Sequence, residues 1–160
     1  MTPIGGNEEL IELLRKTPAV LRALTGPMSG VAAHTRDAEG WSTVEIVGHL
    51  IDAEQRAIER IAQLQNEENP VLAGYDQTGM VEQRDYQGRD LESVLSDFER
   101  LRTTRVMALE ALDEGGWARR ATLSTYGEAS LRDITIHMCW HDMNHLAQIG
   151  AMIAPARERR

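Results

Sequence analysis

Three of the five histidines in this 160-residue chain, His137, His141 and His145, recur every fourth residue within one apolar stretch. On a helix each step of four rotates by only ~40°, so the three imidazoles share a face. A pair at i and i+4 can bring two ring nitrogens onto one metal ion, the arrangement that zinc sites built on helices use. The outer members of the trio lie ~12 Å apart along the axis, too far to join the middle one on a single tetrahedral ion. Either His137 with His141 or His141 with His145 can therefore form the pair, and the third ligand has to come from another part of the chain. His49 is the natural donor, because it lies on the inward side set by Ile46 and Leu50 in a second apolar stretch, where a buried imidazole needs a partner. We place the pair at His141 and His145, which leaves His137 as a pocket residue or an ordinary hydrogen-bonded histidine. The competing assignment gives every histidine a hydrogen bond and no metal. Asp52, three residues after His49, can orient an imidazole or serve as a base at the mouth of the site, or it can simply pair with Arg56 one turn on.

Other chemistries find little support in the residues. The chain has no H-E-x-x-H, no repeated E-x-x-H of di-iron bundles, no G-x-S-x-G, no P-loop and no C-x-x-C. Cys139 falls about 200° around a helix from His141 and reads as a small core residue. Trp41, Trp117 and Trp140 read as packing anchors near helix ends.

The elements that must carry the histidines are helices. Four long stretches have helical periodicity and none alternates as a half-buried strand does, so the expected class is all-α. The first opens at Asn7 as N-cap and meets Thr17-Pro18, which predicts either one kinked helix or two short ones ending at Gly26-Pro27. The second begins with the capping box Ser42 to Glu45 and is predicted over about residues 43–65. A long connection over 66–89 follows, with room for a short helix near Met80–Tyr86 lying over one end of the bundle. The third starts at the N-cap Asp90 and stops before Gly115-Gly116; the fourth starts at Ser130, with Asp133 completing a weaker box. These lengths predict a four-helix bundle with a long middle connection, a single domain over residues 1–160 with its core at about 7–154.

Composition sets the outer bounds. Hydrophobic residues make up 42% and charged residues 26%, values that fit neither a disordered chain nor a membrane-embedded one. The net charge of −8 has the wrong sign for attraction to phosphate backbones, so no nucleic-acid partner is expected. The basic run Arg157–Arg160 reads as a solvated terminus. One cysteine, no secretory pattern at the N-terminus and no apolar run of ~20 residues predict a soluble protein of the reducing cytoplasm, with no membrane partner.

The segment Trp41-Ser42-Thr43-Val44-Glu45-Ile46-Val47-Gly48-His49-Leu50-Ile51-Asp52, with His141-Asp142-Met143-Asn144-His145 some ninety residues later, resembles the DinB-like superfamily of four-helix metalloproteins. The resemblance covers roughly residues 7–154. It implies a metal bound by one histidine of the second long helix and two of the last, which fall here on His49, His141 and His145. Relatives of this kind include transferases that join a low-molecular-weight thiol to a small-molecule electrophile, and homodimers are common among them. The expected function is therefore thiol S-transfer, in which a divalent metal, Zn²⁺ first and Ni²⁺ second, activates the thiol at an open coordination position. The enzymatic alternative is hydrolysis by a metal-bound hydroxide, and the non-enzymatic one is a stress-associated metal-binding or dimerisation module.

Overall fold

A computed structural model describes residues 5–74 and 76–153; the Arg157–Arg160 run lies outside the described residues. The helices are α1 (Asn7–Thr25), α2 (Gly30–His34), α3 (Thr43–Asn66), α4 (Gln77–Gln83), α5 (Leu91–Glu110), α6 (Glu114–Ala118) and α7 (Leu131–Ile153). The four long ones, α1, α3, α5 and α7, form the bundle. Each of α1 and α3 packs against both α5 and α7, so the order around the bundle is α1, α5, α3, α7, and the two histidine-bearing helices α3 and α7 are neighbours.

The caps sit where the side chains can make them. Ser42 Oγ accepts the Glu45 N–H at 3.3 Å while Glu45 Oε2 accepts the Ser42 N–H at 2.9 Å, which closes both ends of the predicted box at the start of α3. Asp90 accepts the Ser93 N–H at 3.1 Å, and Ser130 and Asp133 exchange the same bonds at the start of α7. At α1 the start differs by one residue: Gly6 is the N-cap and Asn7 is already helical. The helix then runs unbroken through Pro18. Proline cannot donate to the carbonyl four residues back. That carbonyl, of Leu14, instead accepts a bond of 2.8 Å from Arg102 Nη1 of α5, so the missing backbone donor is replaced from a neighbouring helix.

The expected absence of strands needs correction. Val71–Leu72 (β1), Arg120–Leu123 (β2) and Gly127–Ser130 (β3) form a small sheet in which β1 runs parallel and β3 antiparallel to β2. Strands of two to four residues are too short to show alternation. They exist because the two connections of the bundle run side by side at one end, where Gly127, at φ 77°, permits the reversal into β3. The long connection contains α4 and a 3₁₀ turn at Tyr86–Gly88, close to the predicted short helix, while α2 and α6 were not anticipated.

The apolar core falls into two clusters. One gathers Leu21, Val44, Val47, Phe98, Leu146 and Ile149; the other gathers Leu14, Leu64, Leu109, Trp117, Leu131 and Ile134. On each long helix one or two buried polar residues come between them: Thr17, Glu54, Arg102 with Arg105, and Asp142. The bundle therefore holds a buried ionic layer across its middle.

Candidate metal centre

His49 is fully buried in α3. α7 brings His141 and His145 to the same point, and one nitrogen from each of the three rings lies within 4.8 Å of the others. The rings meet edge to face with centroids 4.9, 4.8 and 4.6 Å apart, and the Nε2 atoms of His49 and His141 are 2.8 Å from each other. His137 is not brought to this point. Its exposed ring lies against Tyr126 and Trp140, with centroids at 5.6 and 5.8 Å, so of the two possible pairs on α7 the fold joins His141 and His145 to His49.

Burial, reinforced by the neighbouring imidazoles, pushes the His49 and His141 pKa values down to about 3, and burial lowers that of His145 as well. All three rings are then neutral near pH 7, the form that can ligate. His145 Nδ1 donates to Gln148 Oε1 at 2.9 Å, an assignment that leaves its Nε2 lone pair unoccupied by a proton. Gln148 in turn donates from Nε2 to Asp37 Oδ2 at 2.8 Å. The other carboxylate oxygen of Asp37 accepts the N–H groups of Glu39 and Trp41 at 2.9 and 3.0 Å. Burial would raise the Asp37 carboxyl, but these bonds outweigh it and hold the group below its ordinary value. The segment before α3 is thus tied to α7 through one amide.

Nitrogens bound at ~2.0–2.1 Å to one tetrahedral ion sit about 3.3 Å apart; here one pair lies 2.8 Å apart and all three lie within 4.8 Å of one another. Three neutral imidazoles suit zinc or nickel, and the residues could hold a divalent ion. Trp41 forms one wall: its ring is stacked at 9° on His145 and set edge-on to His49, with centroids at 6.5 and 5.2 Å. It is thus more than a packing anchor. Trp117 is the anchor expected, at 4% exposure, whereas Trp140 is 62% exposed and lies against the exposed ring of His137. Cys139 is only half-buried, and burial raises its thiol pKa.

Two cavities share His141 as a lining residue. A smaller one of about 210 Å³ lies between α3, α7 and the β2–β3 turn; a larger one of about 930 Å³ lies between α7 and the segment before α3, with His145 and Gln148 on its wall. Asp52 lines neither. Its Oδ1 accepts the Tyr86 hydroxyl at 2.9 Å and faces Arg84 Nε at 3.1 Å, contacts that brace α3 against α4 and the 3₁₀ turn. Burial raises the Asp52 carboxyl pKa against the pull of these donors, and burial together with the Asp52 charge raises that of the Tyr86 phenol. Gly48 makes this brace possible: a Cβ there would overlap the Tyr86 ring.

Behind the histidines lies the ionic layer, which the sequence reading missed. Glu54 pairs with Arg102 at 2.9 Å and Arg105 at 2.8 Å, and Arg102 reaches Asp142 at 2.8 Å. Thr17 adds a hydroxyl bond of 3.2 Å to Asp142, the residue next to His141. Two carboxylates and two guanidiniums cancel in charge. Burial opposes the charged forms, but Arg105 and Arg102 keep Glu54 below its ordinary value, and Glu54 and Asp142 keep Arg102 above its own. Burial and the adjacent Glu54 charge raise Asp142.

A family model described as the DinB superfamily matches residues 13–149. A relative from Geobacillus thermodenitrificans is 27% identical over 148 residues, covering 91% of this chain and 83% of its own length. Another from Oceanobacillus iheyensis is 31% identical over 114 residues, covering 71% of this chain and 65% of its own length. Both carry names that place them provisionally among metal-dependent hydrolases. Among solved structures, YfiT from Bacillus subtilis, described as a probable metal-dependent hydrolase with an unusual four-helix bundle topology, superposes with a TM-score of 0.86 at 22% identity, over 95% of this chain and 88% of that one. Since the family model spans most of the bundle, including His49, His141 and His145, the chain belongs to the DinB superfamily.

Proposed function

We propose that this chain is a metal-dependent enzyme in which His49, His141 and His145 hold one divalent ion, zinc or nickel, and that it joins a low-molecular-weight thiol to a small electrophile. The observation that carries the reading is that His141 lines two separate cavities and His145 the larger of them, so that a reactant can reach this cluster of one buried and two partly buried imidazoles from either side. The ion, when bound, supplies a Lewis-acid centre that lowers the pKa of a thiol or of water. The protein's own residues do the rest. Gln148 fixes the His145 tautomer, Trp41 sets its ring against His145 and His49, and the Asp52–Tyr86 brace keeps α4 and the 3₁₀ turn against α3.

Hydrolysis is the second reading, favoured by the names of the relatives. A thiol panel with epoxide and quinone electrophiles, set beside an ester and amide panel without thiols, separates the two. Transfer predicts product only where a thiol is supplied; product from esters or amides without any thiol contradicts transfer and supports hydrolysis.

We also propose a homodimer. Ile136, Trp140 and Met143 are exposed at i, i+4 and i+7 on the outer face of α7, a spacing that lets the same face pair with itself across a two-fold axis.

A further inference from the structure

From the turn before α3 we infer that Asp37 is a positioning residue for the candidate metal centre: by forcing the Gln148 amide to face one way, it puts the proton of His145 on Nδ1 and keeps Nε2 free for an ion. The inference rests on the metal reading of the histidines, but the proton it places is there without any ion. It follows from which groups can donate. An ionised carboxylate only accepts hydrogen bonds, whereas an amide donates from nitrogen and accepts at oxygen. Asp37 Oδ1 already accepts the Glu39 and Trp41 N–H groups at 2.9 and 3.0 Å, and the Asp37 N–H donates to the Trp41 carbonyl at 2.9 Å, so the turn holds the carboxylate in place. Its Oδ2 lies 2.8 Å from Gln148, and only the Nε2 end of that amide can donate to it. Glu39 Oε2, 3.4 Å from the same nitrogen, is a second acceptor that favours this orientation. Oε1 is then the end that faces His145 Nδ1 at 2.9 Å, and since a carbonyl oxygen only accepts, Nδ1 must carry the proton. Turned over, the amide would set its oxygen against two carboxylates and its nitrogen against the ring, which moves the proton to Nε2 and blocks ligation there. Three successive bonds thus carry a direction from the backbone of the turn to a ring on α7.

The test is an isosteric swap. In Asp37→Asn the side-chain oxygen can keep the two backbone bonds of the turn, which leaves the new NH₂ group pointing at Gln148. The Gln148 amide then turns over and His145 takes the Nε2–H form. Nitrogen-15 spectra of the metal-free protein near neutral pH, where burial keeps this ring uncharged, read the tautomer directly. The parent should show a protonated Nδ1 and Asp37→Asn a protonated Nε2, and the variant should bind zinc roughly 10–100-fold more weakly in competition with a chromophoric chelator. Adding Gln148→Glu to Asp37→Asn supplies a carboxylate that accepts from both neighbours, so the double variant should return the proton to Nδ1 and recover most of the lost zinc affinity. An Asp37→Asn protein that keeps Nδ1–H overturns the inference whatever its zinc affinity, because Asp37 then only braces the turn. A double variant that leaves the proton on Nε2 overturns it too, because the direction does not pass through the side chain at position 148. The metal reading fails separately: if His49→Ala keeps its full metal content, the histidines are not the ligands, whatever the tautomer spectra give.

Discussion

At the scale of single residues, the account turns on how few protein partners the three imidazoles have. Among the described residues His49 Nδ1 and His141 Nδ1 are buried without a hydrogen-bond partner, whereas His145 Nδ1 is anchored by Gln148. The orientation of the site is therefore concentrated in one amide. Gln148→Ala should leave the fold intact and weaken metal affinity by roughly 10–100-fold, measured by competition with a chromophoric chelator. Gly48 is the second sensitive residue: Gly48→Ala forces a Cβ into the Tyr86 ring, which should lower stability by about 1–3 kcal/mol in urea denaturation. Tyr86→Phe keeps the ring but removes the bond to Asp52, and its smaller cost, about 1 kcal/mol, separates the ring contact from the hydrogen bond.

At the scale of elements, the bundle is held in register by the ionic layer as well as by apolar packing. Arg102 joins α5 to α1 through the Leu14 carbonyl, to α3 through Glu54 and to α7 through Asp142. Arg102→Met leaves two buried carboxylates with only Arg105 between them and should destabilise the protein by about 3–5 kcal/mol, read from denaturant midpoints. Much of this level was legible in the sequence. The four long helices, the Ser42 and Asp90 caps and the pairing of a histidine on one helix with histidines on another follow from periodicity and spacing, because amphipathic faces and caps are local properties. Of the two alternatives open at Pro18, one helix or two, the sequence alone does not choose, since the donor that replaces the missing bond to the Leu14 carbonyl sits 88 residues from Leu14 on Arg102. The sheet was hidden because its strands owe their pairing to the meeting of two connections. Arg102 and Arg105 stand among apolar residues of α5, a signal that could have flagged a buried charge; their partners are set by tertiary geometry alone. Gln148, at i+3 from His145, could have been picked out from helical spacing, whereas the placing of Trp41 against the site depends on the loop before α3.

At the scale of the whole molecule, acid should act on the metal-free protein through the histidines. His49 and His141 titrate near 6.5 in the unfolded chain and about 3 when folded, so between those values the unfolded state binds more protons. Stability is full above pH 6.5 and falls as the pH drops, by up to about 1.4 kcal/mol per pH unit for each such histidine. Melting curves from pH 7 to pH 5 should show this decline, and His49→Phe should flatten it. The proposed homodimer makes a separate prediction: Trp140→Glu should convert a dimeric species to a monomer in sedimentation velocity, with helix content unchanged.

The most direct test of the central claim is elemental analysis of the purified protein beside its His49→Ala, His145→Ala and His137→Ala variants. The account predicts about one equivalent of divalent metal in the parent and in His137→Ala, and loss of it in the other two, each still folded by circular dichroism. Equal stoichiometric metal in the parent and in His49→Ala would contradict it.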